Sequence, residues 1–180
     1  MTQYTLLGLS GSLRAQSANR KLLREAGRIF GDATYVEANL EIPLYHGDVE
    51  DAHGLPAGVQ TLVDQIARAD AVLISTPEYN SGISGVLKNA LDWISRAPVK
   101  PWADKPVAIM AAAAGRTGGA RAHVMLRTCL APFRPCIANG PEILIAECNS
   151  QFDDNGCITE RYAQNIDALM TTLRAEIQRR

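Results

Sequence analysis

Short apolar runs of strand length take turns, along the whole chain, with longer segments whose apolar residues recur every three or four positions. No other property of the sequence narrows its fold so far. Tyr4 to Leu9, bounded by Ser10-Gly11-Ser12, reads as a buried strand, and Leu22, Leu23, Ala26, Ile29 and Phe30 then fall on one helix face. A second strand is expected near Thr34 to Val36. After the turn-rich stretch from Glu41 to Gly54, Pro56 suits the first turn of a helix carrying Val59, Leu62, Val63, Ile66 and Ala67. Ala71 to Thr76 (AVLIST) is the cleanest strand. Ile83, Val86, Leu87, Ala90, Leu91 and Ile94 follow at helical spacing, with Pro98 as the stop. Pro106 to Ala112 is the fourth strand, and Ala122, Met125, Leu126 and Cys129 mark the next helix. Glu142 to Ala146 is the fifth strand, before a closing helix through Tyr162, Ile166, Leu169, Leu173 and Ile177.

Five strand–helix units in succession predict an α/β protein whose parallel sheet is covered by helices on both faces. No repeat, linker or low-complexity segment interrupts them, so residues 1–180 are expected to form one domain. That length buries an adequate core without disulfides. Sheets of this kind bind ligands beyond the carboxyl ends of their strands, where the strand order reverses. The loops after the first, third and fourth strands are therefore the ones to read.

The first of them is Ser10-Gly11-Ser12-Leu13-Arg14-Ala15-Gln16-Ser17-Ala18-Asn19-Arg20. Gly11 permits a tight turn; Ser12, Ser17 and Asn19 carry short hydrogen-bonding side chains; Arg14 carries a forked cation. A helix follows whose leading N–H groups point to the same place. Together they suit a terminal phosphate monoester. Ser17 or Asn19 taken alone would serve equally well as a helix N-cap. The sequence contains neither G-x-x-x-x-G-K-[ST] nor G-x-G-x-x-G, which sets aside a P-loop nucleotidase and the usual dinucleotide fingerprint.

The third loop and its helix read TPEYNSGISGVLKNALDWISR, from Thr76 to Arg96. Pro77 stiffens the chain and holds Thr76 extended, so the amides of Glu78, Tyr79 and Asn80 are expected to face a ligand. Together with GSLRAQSANR, with IPLY from Ile42 to Tyr45, DKPV from Asp104 to Val107 and GGAR from Gly118 to Arg121, this string resembles the NADPH-dependent FMN reductase family along the whole chain. The resemblance implies a flavodoxin-like three-layer fold with a five-stranded parallel sheet in the order 2-1-3-4-5. It implies FMN, with its phosphate on Ser12, Arg14, Ser17 and Asn19 and its ring along Pro77, Glu78, Tyr79 and Asn80. In the fourth loop, Ala113-Ala114-Gly115, small residues permit close backbone approach, so any contact near Gly115 is through the main chain.

The implied activity is a two-step hydride transfer, from NADPH or NADH to FMN and then to a small acceptor such as a quinone, an azo compound, chromate or a free flavin. No catalytic side chain is required, because the cofactor carries the chemistry. Family members pair, so a homodimer or homotetramer is expected, with the helix after the flavin loop as one interface and Arg121 meeting an acid across another. Lys88, Asn89, Asp92 and Trp93 are expected near that helix's polar side, and Trp93 suits core or interface equally. The alternative reading is a flavodoxin-type electron carrier without NAD(P)H activity. Such carriers tend to be acidic, and a formal net charge of −1 speaks against that role. A receiver-type domain without FMN would want acids at the ends of the first strands, where Ser10-Gly11-Ser12 stands.

The near-neutral charge also makes nucleic acid and anionic membrane improbable partners. The opening MTQYTLLGLSGS has no basic leader, and no apolar run reaches transmembrane length. Cys129, Cys136, Cys148 and Cys157 form no C-x-x-C pair and fit reduced thiols in a cytoplasmic protein. His46, His53 and His123 match no zinc spacing. Gln151 to Gly156 lacks the register of a calcium loop and reads as a turn. No metal is expected.

Overall fold

The computed structural model describes residues 3–180. In chain order the elements are β1 (Tyr4–Ser10), α1 (Ala18–Phe30), β2 (Ala33–Glu37), α2 (Gly47–His53), α3 (Ala57–Arg68), β3 (Ala71–Thr76), α4 (Gly85–Ser95), β4 (Pro106–Ala112), α5 (Ala120–Leu130), β5 (Cys136–Ile137), β6 (Ile143–Ile145) and α6 (Glu160–Gln178). Among the described residues the strands form one parallel sheet in the order β2-β1-β3-β4-β5, with β6 also on β4.

The two central strands explain the layering. Every residue of β3 and β4 is buried. Alternate side chains leave opposite faces of a strand, so both faces need cover. Leu7, Leu9, Val72, Ile74, Val107 and Ile109 pack against α3, α4 and α5. Leu6, Leu73, Ala108 and Met110 pack against α1 and α6. Each fully buried aliphatic side chain contributes about 1.5–3 kcal/mol relative to exposure. The three-layer expectation and the strand order both hold.

Three features depart from the sequence reading. The fifth sheet position is shared by two short strands: β5 runs beside Pro106 and Val107, and β6 beside Met110 to Ala112. Between them lies a connection containing Gly140 and Pro141, and proline has no N–H to give a sheet. Second, the stretch expected to be turns holds α2. That helix buries no residue, so it has no apolar periodicity to detect, and His46 Nδ1 caps it by accepting from the Asp48 amide at 3.2 Å.

Third, Trp93 and Asn89 turn inward. Trp93 is fully buried within the chain and its Nε1 donates to the Pro43 carbonyl at 2.8 Å. Asn89 donates to the same carbonyl and accepts from the Tyr45 amide. Trp93 is therefore core, and the pair anchors residues 43–45. Only Lys88 and Asp92 remain outside, as an ion pair. Arg96 is likewise engaged within the chain, by Glu50 at 2.9 Å.

Candidate functional site

Sharp turns leave the carboxyl ends of β1 and β3 and bring their loops into contact. The Gly11 amide donates to the Ser75 carbonyl at 2.8 Å. A Cβ on Gly11 would lie 3.0 Å from Pro77 Cδ and 3.0 Å from Ser84 Oγ, so a side chain there would have to push Pro77 or Ser84 aside by a few tenths of an ångström. Ser10 Oγ donates to the Ser12 carbonyl and accepts from the Ser12 amide, which tightens the turn.

Beyond that turn the donors converge. Ser12 Oγ accepts from the Arg14 amide at 3.4 Å, and Ser17 Oγ accepts from the Asn19 amide at 3.2 Å as the N-cap of α1. Both serines are buried. Each hydroxyl accepts within the chain, and its proton remains to be given to something else. The leading amides of α1 point the same way, with the positive end of the helix behind them. The Arg14 guanidinium is exposed and forms no ion pair among the described residues. This is a set of anion donors with no anion of the chain to hold.

Asn19 also carries a job the sequence did not indicate. Its Oδ1 accepts from Ser75 Oγ at 2.7 Å and from the Ala112 amide at 3.1 Å, while Nδ2 donates to the Ala112 carbonyl at 3.0 Å. The carboxamide pins the first turn of α1 to β3 and β4, so Asn19 braces the loop from beneath. Only one N–H of the group is left over.

The third loop is built as a hairpin. Tyr79 and Gly82 exchange two backbone hydrogen bonds of 3.0 Å each, and Asn80 and Ser81 both take positive φ, 50° and 65°. That is the geometry of a two-residue turn whose central residues are both left-handed. The expectation that all three amides face a ligand is thereby corrected, because the Tyr79 N–H is spent on Gly82. Asn80 stands at the hairpin tip, outside the lining of the cleft, whereas Pro77, Glu78 and Tyr79 line it. The Glu78 carboxylate accepts from the amides of Arg121 at 2.9 Å and Ala122 at 3.3 Å. A carboxylate on the N-terminal amides of α5 also meets the favourable end of that helix dipole. Arg121 then reaches back to Ser81 Oγ at 2.8 Å, so within the chain its partner is a serine and not an acid.

The fourth loop closes the far wall. The Ala113 amide donates to Ile145, and the amides of Glu147 and Cys148 donate back to Gly115 and Ala113. Gly118 has φ +63°, and a Cβ there would lie 2.6 Å from the Leu144 carbonyl carbon. Gly119 has φ +91° and N-caps α5. Both glycines are thus fixed by backbone geometry as helix-entry residues. A Cβ on Gly115 would meet nothing within 4 Å, which puts that residue beside open space.

The three loops enclose a cleft of about 410 Å³, within the range of small-molecule sites, roughly 300–1,000 Å³. Of the residues read from the sequence, it brings together Ser12, Arg14, Ser17, Asn19, Pro77, Glu78, Tyr79 and Gly115. Cys148 and Asn149, just past β6, also line it. Nothing in their local sequence points to the site; only the pairing of β6 with β4 carries them there. Burial pushes the Cys148 thiol above its ordinary value, so it stands as a neutral wall group. Among the described residues no group of three or more His, Cys, Asp or Glu side chains is arranged to hold a metal ion.

A cleft with hydroxyl, guanidinium and helix N-terminal donors at one end, and a proline, a tyrosine and small residues at the other, matches a phosphorylated ligand with a flat apolar body. Comparison with known proteins points the same way. The sequence model of the NADPH-dependent FMN reductase family matches residues 4–150. An NAD(P)H-dependent FMN reductase of Pseudomonas aeruginosa is 43% identical over 163 residues, covering 89% of this chain and 88% of that protein. A quinone reductase of Escherichia coli K12 is 43% identical over 139 residues, covering 76% of this chain and 74% of its own. Among solved structures, the flavoenzyme NAD(P)H:(acceptor) oxidoreductase FerB from Paracoccus denitrificans superposes with a TM-score of 0.87 at 28% identity, over 98% of both chains.

Proposed function

The chain belongs to the NADPH-dependent FMN reductase family, and on that premise we propose that its cleft binds FMN, with the phosphate on Ser12, Arg14, Ser17 and the first turn of α1 and the ring between Pro77-Glu78-Tyr79 and Ala113-Ala114-Gly115. The protein is an FMN-dependent NAD(P)H oxidoreductase. Bound there, FMN supplies a ring that takes a hydride from NADPH or NADH and passes two electrons to an acceptor.

The observation that carries the seating is the phosphate end. Two buried serine hydroxyls have protons to give, and an unpaired guanidinium stands beside a helix N-terminus. Such donors are satisfied by an anion with several oxygens. The chain's other groups orient and enclose. Asn19 fixes the loop against β3 and β4. Glu78 ties the third loop to α5. Ala112 to Gly115 present main chain with little side chain, which allows a flat ring to approach closely. No side chain is assigned a proton transfer.

For the acceptor we favour a quinone, in keeping with the Escherichia coli relative. Residues 1–180 act as one flavodoxin-like unit in this reading. A homodimer or homotetramer is supported by the exposed apolar surface of α5, where Val124, 60% exposed, and Met125, 39% exposed, lie together beside Ala120. A cytoplasmic setting suits four cysteines that form no disulfide. No helix among the described residues is long and apolar enough to cross a membrane.

The seating is tested by titrating the purified protein with FMN, riboflavin and FAD. FMN is expected to bind tightest, since riboflavin offers nothing to the phosphate donors. Equal affinity for FMN and riboflavin would remove the phosphate site. Sedimentation at micromolar concentration tests the assembly, and a monomer with full NAD(P)H-dependent activity would exclude pairing as a requirement.

A further inference from the structure

Strand β4 turns the backbone groups of its odd-numbered residues toward the fifth sheet position. The carbonyls of Lys105 and Val107 accept from Cys136 and Ala138, at 2.8 Å each, and further along Ala113 bonds to Ile145 and Cys148. By the same alternation Ile109 faces the break between β5 and β6: it is in register with neither short strand, and only its carbonyl reaches the start of β6, where Ile143 pairs with Met110. His123 of α5 lies against this break. Its ring is 1% exposed, faces the backbone of Ile109, and has Nδ1 3.6 Å from Glu142 Oε1 on the β5–β6 connection. Neither ring nitrogen makes a hydrogen bond among the described residues. A buried imidazole with both nitrogens unpartnered is uncommon and calls for a reason.

The groups around the ring are few. Its own helix contributes Arg127, the connection contributes Glu142, which is 57% exposed, and β4 contributes only the Ile109 backbone. Burial opposes the charged ring most strongly; Glu142 favours it, Arg127 disfavours it, and the nearby Ile109 backbone favours it without closing a hydrogen bond. Burial prevails, and His123 is held below the ordinary histidine value of 6.5. A proton disfavoured by the closed arrangement must, by linkage, disfavour that arrangement.

The wedge also sits between the supports of two cleft loops. On one side, the first turn of α5 holds the Glu78 carboxylate through the Arg121 and Ala122 amides, and the His123 amide donates to Gly119 at 2.9 Å. On the other, β6 accepts from Ala113 through Ile145, and the Glu147 amide just beyond it donates to Gly115. We propose that His123 is a positioning residue of the flavin cleft, filling the gap in the fifth strand while neutral and loosening α5 from β4 and the β5–β6 connection when protonated. This inference rests on the FMN reading given above. Its consequence is a cofactor grip that weakens in acid.

The test is FMN affinity, read from quenching of FMN fluorescence, between about pH 7.5 and about pH 5.5 for the wild type and His123→Gln. Glutamine keeps hydrogen-bonding capacity and does not titrate. The cofactor's own phosphate titrates in the same window in both proteins, so the difference between the two profiles is the readout. The wild-type Kd is expected to rise roughly three- to tenfold more than that of His123→Gln, the scale of up to one pK unit of coupling. Parallel profiles would overturn the inference and leave the cofactor reading intact. A wild type that binds no FMN at any pH would overturn both. Should His123→Gln not fold, NMR of the wild-type holoprotein decides. The Glu78 and Gly115 amide shifts are expected to follow the His123 ring through a midpoint below 6.5. A ring midpoint at or above that value, or loop amides that do not follow it, would refute the assignment.

Discussion

Removing the Arg14 side chain should weaken FMN roughly thirtyfold while leaving the fold alone. The guanidinium is exposed and has no ion pair among the described residues, so Arg14→Ala leaves no carboxylate of the chain unpaired. What it removes is a charge-assisted contact to the phosphate. Hydrogen bonds to charged groups contribute about 1.5–3 kcal/mol, and the open position of Arg14 argues for the lower half of that range. A loss of about 2 kcal/mol corresponds to roughly thirtyfold in Kd, since about 1.4 kcal/mol is tenfold. The remaining donors, Ser12, Ser17 and the first turn of α1, still hold the phosphate, which is why binding should weaken and not vanish. The assay is fluorescence titration of apoprotein with FMN and, in parallel, riboflavin. Riboflavin affinity should not change, because Arg14 has no phosphate to meet there. Thermal stability of the apoprotein should stay within about 0.5 kcal/mol, as for other surface changes. An unaltered FMN Kd, or an equal loss for riboflavin, would refute the assignment of Arg14 to the phosphate.

Asn19→Ala should behave in the opposite way. It strips the buried Ser75 hydroxyl and Ala112 amide of their partner, which costs about 2–4 kcal/mol and lowers the apoprotein melting temperature; a melt matching the wild type would deny the brace. Gly118→Ala places a Cβ 2.6 Å from the Leu144 carbonyl carbon at a φ of +63°, so denaturant unfolding should report a loss of more than about 2 kcal/mol. Glu25 is held below its ordinary 4.5, chiefly by its hydrogen bond from Arg28 and also by the Ile158 amide. Its stabilisation is therefore present above that value and lost as pH falls through the lowered one, so urea midpoints of Glu25→Gln should depend less on pH at the acid end than those of the wild type. Parallel acid limbs would contradict that.

The parts legible in the sequence were those decided locally. β3 and β4 have the limits expected from their apolar runs, because every residue in them is buried and each run stops at a turn; Ser75 and Thr76 at the end of β3 are buried as well. The donor cluster of the first loop was legible because serine and arginine beside a helix start are short-range signals. The roles of Asn19 and Glu78 were not, since each depends on a partner far along the chain: Asn19 on Ser75 and Ala112, Glu78 on Arg121 and Ala122. Asn80 is a different case. Asn80-Ser81-Gly82 is turn chemistry in its own right, and that signal places the asparagine at a hairpin tip. The break in the fifth strand had a sequence cue in Gly140-Pro141, but its occupant did not: only packing brings His123 beside Ile109.

The central claim is that this chain reduces an acceptor with electrons from a pyridine nucleotide through FMN, and stopped-flow absorbance tests it most directly. The FMN-loaded protein is mixed without oxygen with NADPH, and separately with NADH, while the visible absorption band of the oxidised flavin is followed. The account predicts rapid bleaching with at least one donor and return of the band when a quinone is added. A band that stays unbleached with both donors would contradict it and leave an electron carrier in its place.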